Sequence, residues 1–132
     1  MPSPPAIAVV DDDAALRDSL CELIRAFSMS CRTFDRADAF LSAYVPGQFD
    51  CLITDLRMPG MGGLELQRAV KALDASLPVI VVTSAVDAQS RSRALEQGVF
   101  AYLTKPVSGD VLLRQLTAAL DRQIPSGETE NG

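Results

Sequence analysis

Three carboxylates in a row, Asp11, Asp12 and Asp13, directly follow the apolar run AIAVV. A run of that kind is predicted to be a buried strand, so the acids begin where a strand leaves the core, and gathering like charges there costs free energy. A positive partner is expected, either a basic side chain, a helix N-terminus or a metal ion. Other reactive groups also stand at the ends of apolar runs: Asp55 after DCLIT, Thr83 and Ser84 closing PVIVVTS, and Lys105 after VFAYLT. An aspartate can attack phosphorus, paired carboxylates suit a hard divalent cation, and a lysine is a compact charge for an anion. The chain has no histidine. That excludes Ser-His-Asp and Cys-His nucleophiles, HExxH metal sites and histidine proton shuttles.

Strand-like and helix-like periods alternate along the chain. After AIAVV, Asp13 is predicted to cap a helix whose Leu16, Leu20, Leu23, Ile24 and Phe27 share one face. SCRTF is a short strand, and a helix over about 36–44 is expected to have Asp35 as its cap and Phe40, Leu41 and Tyr44 inward, with Pro46-Gly47 closing it. DCLIT is the third strand, and LELQRAVKALD is a helix with Leu66, Val70 and Leu73 at helical spacing. PVIVVTS is the fourth strand. The helix over 87–97 has few apolar positions, Leu95 among them, so it is expected to be the loosest, ending at Gly98. VFAYLT is the fifth strand, and Ser108 caps a last helix marked by Leu112, Leu113, Leu116 and Leu120. Five strand-then-helix repeats with strands apolar throughout call for a parallel sheet covered on both faces, an α/β architecture. In such sheets the functional crevice lies at the carboxyl ends of the strands, where the acids, the hydroxyl and the amine then converge.

A length of 132 residues with 48% hydrophobic content suits a single domain, placed at 1–122 with its core over about 6–122, and QIPSGETENG at 123–132 has the composition of a polar tail or linker. The net charge of -5 argues against an extended nucleic-acid or anionic-lipid surface. MPSPPA has neither the basic start nor the apolar stretch of a signal peptide, and no apolar run reaches membrane-spanning length, so a cytoplasmic location is expected. Cys21, Cys31 and Cys51 are widely spaced and odd in number, as suits reduced core thiols.

The motifs VVDDD, CLITDLRMPGMGG, VVTS and YLTKP, in this order, resemble a two-component response-regulator receiver domain over roughly 6–122. The stretch DLRMPGMGGLELQ is most similar to receivers of LuxR-type (FixJ-like) transcriptional regulators. The resemblance implies a (βα)5 flavodoxin-like, doubly wound five-stranded sheet of order 2-1-3-4-5. It implies Asp55 as phosphoacceptor, Asp11, Asp12, Asp55 and the backbone carbonyl of Arg57 as the Mg²⁺ set, Lys105 as the phosphate-pairing lysine before a cis Lys105-Pro106 bond, and Thr83 with Tyr102 as the switch. Ser84 departs from the alanine or glycine common at its position in that family.

The expected function is therefore a receiver that takes phosphate from a partner sensor histidine kinase and switches its helix 4, strand 5 and helix 5 face. That face would control an output domain or partner, by way of a phosphorylation-dependent homodimer, with no nucleic acid or membrane contacted directly. It is not an enzyme beyond its own phosphorylation and slow dephosphorylation. A true Asp-nucleophile phosphohydrolase would want an acid where this chain has Arg57. A flavodoxin-type flavin binder would want a Ser/Thr-rich phosphate loop after the first strand. The remaining rival is a binding module of the same fold that works without phosphorylation; the complete set Asp11, Asp12, Asp55, Thr83 and Lys105 argues against it.

Overall fold

The computed structural model describes residues 4–84 and 87–121. The tail expected at 123–132 lies outside the described residues. Five strands alternate with five helices: β1 Ala6–Val10, α1 Ala14–Ala26, β2 Ser30–Phe34, α2 Ala37–Ala43, β3 Cys51–Thr54, α3 Gly63–Leu73, β4 Val79–Thr83, α4 Ala88–Glu96, β5 Ala101–Thr104 and α5 Gly109–Asp121. All strand pairs are parallel, and the sheet order is β2-β1-β3-β4-β5. This is the order that the family resemblance implies.

Strand periodicity divides the core into two halves. Ile7, Val9, Ile53, Ile80 and Val82 point to one face, where Leu20 and Ile24 of α1 and Leu112, Leu116 and Ala119 of α5 cover them. Ala8, Val10, Leu52, Val79 and Val81 point to the other, under Phe40 of α2, Leu66 and Val70 of α3 and Ala94 of α4. The edge strand β2 is the exception to strands apolar throughout: only its Phe34 is buried. An edge strand has one neighbour fewer, and polar side chains there discourage pairing with another chain.

Most helix boundaries follow the expected chemistry. Asp13 accepts from the N–H groups of Ala15 and Leu16, and Ser108 Oγ accepts from Val111 N–H at 3.1 Å. Gly98 adopts φ +90° just past α4. The expected Asp35 cap is corrected: Arg36, fully extended and making no side-chain cap bond, holds the cap position of α2, and Asp35 is left exposed. Leu73 and Leu113, both expected inward, are 55% and 37% exposed, at the borders of their helices' apolar stripes. All three cysteines are free, with Cys21 and Cys51 buried, and burial pushes the Cys51 thiol up to about 12. No helix among the described residues is long and apolar enough to cross a membrane.

Candidate functional site

The parallel register brings the reactive residues to one end of the sheet. Val10 pairs with Thr54, and Asp55 N–H donates to the Val10 carbonyl at 3.2 Å, so Asp11 and Asp55 leave adjacent strands side by side. Thr83 pairs with Thr104, and Lys105 N–H donates to the Thr83 carbonyl at 2.8 Å, which places the lysine next across the sheet. The Lys105-Pro106 bond is cis. Lys105 Nζ then bridges both acids, 2.8 Å from Asp55 Oδ2 and 3.1 Å from Asp11 Oδ2.

The three consecutive acids sit in three different settings. Asp11, 2% exposed, has Lys105 on Oδ2 and accepts from Asp13 N–H on Oδ1 at 2.9 Å. Asp13 caps the positive end of α1. Asp12 faces solvent, and its carboxylate joins those of Asp11 and Asp55 in a group whose ligand oxygens lie within 4.8 Å of one another. Of the three answers that the sequence allows, a basic side chain serves Asp11 and a helix N-terminus serves Asp13. Asp12 is placed for the third, a cation.

The electrostatics separate the two buried acids. Burial pushes the Asp55 carboxyl up, but hydrogen bonds from Lys105, the Thr83 hydroxyl and Arg57 N–H outweigh it, so the group lies below the usual carboxylate range. Oδ1 of Asp55 accepts from Leu56 N–H at 2.6 Å and from Arg57 N–H at 3.3 Å. For Asp11, burial wins over the Asp13 N–H and Lys105, with Asp55 adding to it, and the carboxyl is held above its ordinary value. Lys105 loses by desolvation and gains more from its two acids, so it stays protonated. A buried, ionised carboxylate beside a fixed ammonium is a nucleophile whose attacked group finds its charge already matched. The three converging carboxylates are hard oxygen donors of the kind Mg²⁺ takes, so the donor set fits that ion.

Tyr102, the expected switch partner of Thr83, is 7% exposed on β5, with the Arg91 guanidinium 5.7 Å from its ring centre. Burial raises its hydroxyl, on which Asp87, Arg57, Arg91 and Asp55 all act. Ser84 is exposed.

Three further contributors carry no signal that spacing alone reveals. Arg17 Nη1 donates to the Asp11 carbonyl at 2.8 Å and so fixes the turn that bears the acids. Gly63, at the start of α3, is buried against the backbone of Asp55 and Leu56: a Cβ there would overlap the Asp55 carbonyl oxygen and come within 2.8 Å of Leu56 Cα. Asp87, the N-cap of α4, pairs with Arg57 Nη2 at 3.5 Å. The helical spacing of Arg17 and the GMGG run are visible in the sequence. What they touch is not.

Residues 7–117 match the response regulator receiver domain family. The transcriptional regulatory protein FixJ of Bradyrhizobium diazoefficiens is 36% identical over 94% of this chain and 60% of its own length. The transcriptional regulatory protein TdiR of Thauera aromatica is 39% identical over 95% of this chain and 55% of its own. The chain thus spans three fifths or less of these two relatives. Among solved structures, the response regulator StyR superposes with a TM-score of 0.84 at 34% identity, covering 97% of this chain and 66% of that one. A CheY-like receiver domain protein from Methanospirillum hungatei gives 0.86 at 28%, covering 92% and 97%.

Proposed function

Because this chain belongs to the response regulator receiver domains of two-component systems, we propose that Asp55 accepts a phosphoryl group from a partner sensor histidine kinase and that the domain relays the event to a transcriptional output. The observation that carries this reading is the lowered, buried Asp55 carboxylate with Lys105 Nζ at 2.8 Å and two further acids alongside. In the transfer an Asp55 oxygen attacks phosphorus, the O–P bond forms as the P–N bond of the donor phosphohistidine breaks, and the imidazole leaves. That imidazole lies outside these 132 residues, which include no histidine. Lys105 on Oδ2 and the backbone N–H groups of Leu56 and Arg57 on Oδ1 hold the Asp55 carboxylate ionised and oriented for that attack. Asp11, Asp12, Asp55 and the Arg57 carbonyl would hold Mg²⁺, which would supply further positive charge for the transferred group. Thr83 and Tyr102 form the switch, and the domain is a signalling module that catalyses only its own phosphorylation and slow dephosphorylation.

The output face is α4, β5 and α5. It carries two exposed large apolar side chains, Leu95 at 43% and Leu113 at 37%, and a groove of about 350 Å³ lined by Arg91, Tyr102, Pro106, Val107 and Val111 among others. A surface re-formed on phosphorylation favours a two-fold pair, because that symmetry uses the same patch twice. Intact mass after incubation with a small phosphodonor and Mg²⁺ tests the acceptor: one phosphoryl group is expected on the wild type and none on Asp55→Asn. Undiminished labelling of that variant would falsify the assignment. Light scattering over a concentration series, with and without beryllofluoride, tests the dimer. Association unchanged by the mimic removes it.

A further inference from the structure

Helix α4 is fastened differently at its two ends. At its C-terminal end, the Gln97 carbonyl accepts from Gln67 Nε2 at 3.1 Å and from Lys71 Nζ at 3.3 Å, both on α3. Gln67 is only 4% exposed, and the flexible end of Lys71 lies over the next residue, Gly98, where a Cβ would have to displace it. Two donors on one helix-end carbonyl, one from a buried side chain, make a firm joint. Between the ends, Ala94 is the only buried residue of the helix.

At the N-terminal end the joint is an exposed ion pair. Asp87 uses Oδ2 to cap α4, accepting from Ser90 N–H at 3.0 Å and Ser90 Oγ at 2.8 Å, and turns Oδ1 to Arg57 Nη2 at 3.5 Å. The side chains of Arg57 and Asp87 are 71% and 51% exposed, so the pair is weak and easily exchanged. Arg57 is also bonded to the candidate phosphoacceptor through its main chain, by N–H to Asp55 Oδ1 at 3.3 Å. One residue therefore touches Asp55 with its backbone and the cap of the loosest helix with its side chain.

We propose that Arg57 exchanges partners, leaving Asp87 for a phosphoryl group on Asp55, so that phosphorylation unfastens the N-terminal end of α4 while its C-terminal end stays fastened to α3. A phosphoryl group brings about two negative charges and three acceptor oxygens against the single charge of Asp87, and guanidinium pairs with phosphate in a two-bond fork. The released helix pivots about Gln97. This route runs through the Arg57 side chain and the cap of α4, and it rests on Asp55 being the acceptor.

The variant Asp87→Asn separates the two roles of that residue, since an amide oxygen still caps the helix but carries no charge for Arg57. Beryllofluoride with Mg²⁺ serves as the probe, with affinity from calorimetric titration and α4 amide exchange from NMR. In the wild type, the mimic is expected to speed exchange in the first turn of α4 and to leave its C-terminal end protected. Asp87→Asn is expected to show the fast first turn without the mimic and to bind it about two- to fivefold tighter, the factor a surface ion pair is worth. Arg57→Gln is expected to have the same fast first turn but to bind the mimic more weakly, with no further change on binding. Equal affinity in wild type and Asp87→Asn, or a wild-type response that starts at the C-terminal end of α4, overturns the exchange. A wild type that takes up no beryllofluoride at all fails the assignment of Asp55 instead, so the two failures are distinct.

Discussion

The last two helices of the chain are held by opposite means. Helix α5 buries Leu112, Leu116 and Ala119 completely, whereas α4 buries only Ala94 and depends on polar ties at its ends. A buried leucine contributes about 1.5–3 kcal/mol through loss of contact with water, which is indifferent to a change of charge nearby. An exposed ion pair contributes little, but a new charge can redirect it. Apolar burial thus fixes the frame, and polar fastening leaves one element free to respond.

The largest effect that could break this contrast is a matched truncation. Leu116→Ala on α5 is expected to lower stability by about 2–5 kcal/mol, and Leu95→Ala on α4, starting 43% exposed, by less than about 0.5 kcal/mol. Denaturant unfolding measures both. Comparable losses would mean that α4 is anchored by its apolar side after all.

A second pair of substitutions compares two glycines, one at each end of the proposed signal path. Gly63→Ala drives a methyl group into backbone at Asp55, and backbone cannot swing aside, so a loss of about 1–3 kcal/mol is expected together with slower phosphorylation. Gly98→Ala meets the flexible end of Lys71 and a positive φ, so about 1 kcal/mol is expected, with phosphorylation of Asp55 unaffected. If Gly98→Ala also slowed phosphorylation, the C-terminal joint of α4 would not be a passive pivot.

The same contrast explains what was legible in the sequence. Caps and apolar periods act over a few residues, so Asp13, Ser108 and the stripe of Leu20, Ile24, Leu112 and Leu116 could be recognised from spacing, as could the sparse face of α4. The strand-end residues Asp11, Asp55, Thr83 and Lys105 were also within reach, because parallel sheets deliver such residues to one edge. The Arg57-Asp87 pair spans 30 positions, as does the Gln67 bond to Gln97, and neither has a local pattern. Local detail was also hidden: SCRTF reads as a short strand without showing that only Phe34 is buried, and Asp35 looks like a cap until Arg36 takes the extended turn.

The smallest effect concerns a joint of the fixed kind on the same side of the sheet as α4. The Tyr44 hydroxyl donates to Asp74 Oδ2 at 2.8 Å and ties the end of α2 to the end of α3. Hydrogen bonds from Ser76 and then Tyr44 hold the Asp74 carboxyl below its usual range, while burial and then Asp74 push the Tyr44 hydroxyl up to about 12. A depressed carboxyl adds stability that is present above its unfolded value near 4 and lost as pH falls through its folded value. A raised phenol adds stability that is present below about 10 and lost as pH rises through about 12. Tyr44→Phe is therefore expected to cost about 0.5–1.5 kcal/mol at pH 7 and progressively less as Asp74 protonates below pH 4. Urea midpoints at both pH values measure the difference. Because this bond has only one charged partner, 0.5 M salt should leave its contribution nearly unchanged, while the same salt should speed first-turn exchange in wild-type α4 by screening Arg57 from Asp87. Equal salt sensitivity at the two joints would erase the distinction between a fixed fastening and an exchangeable one.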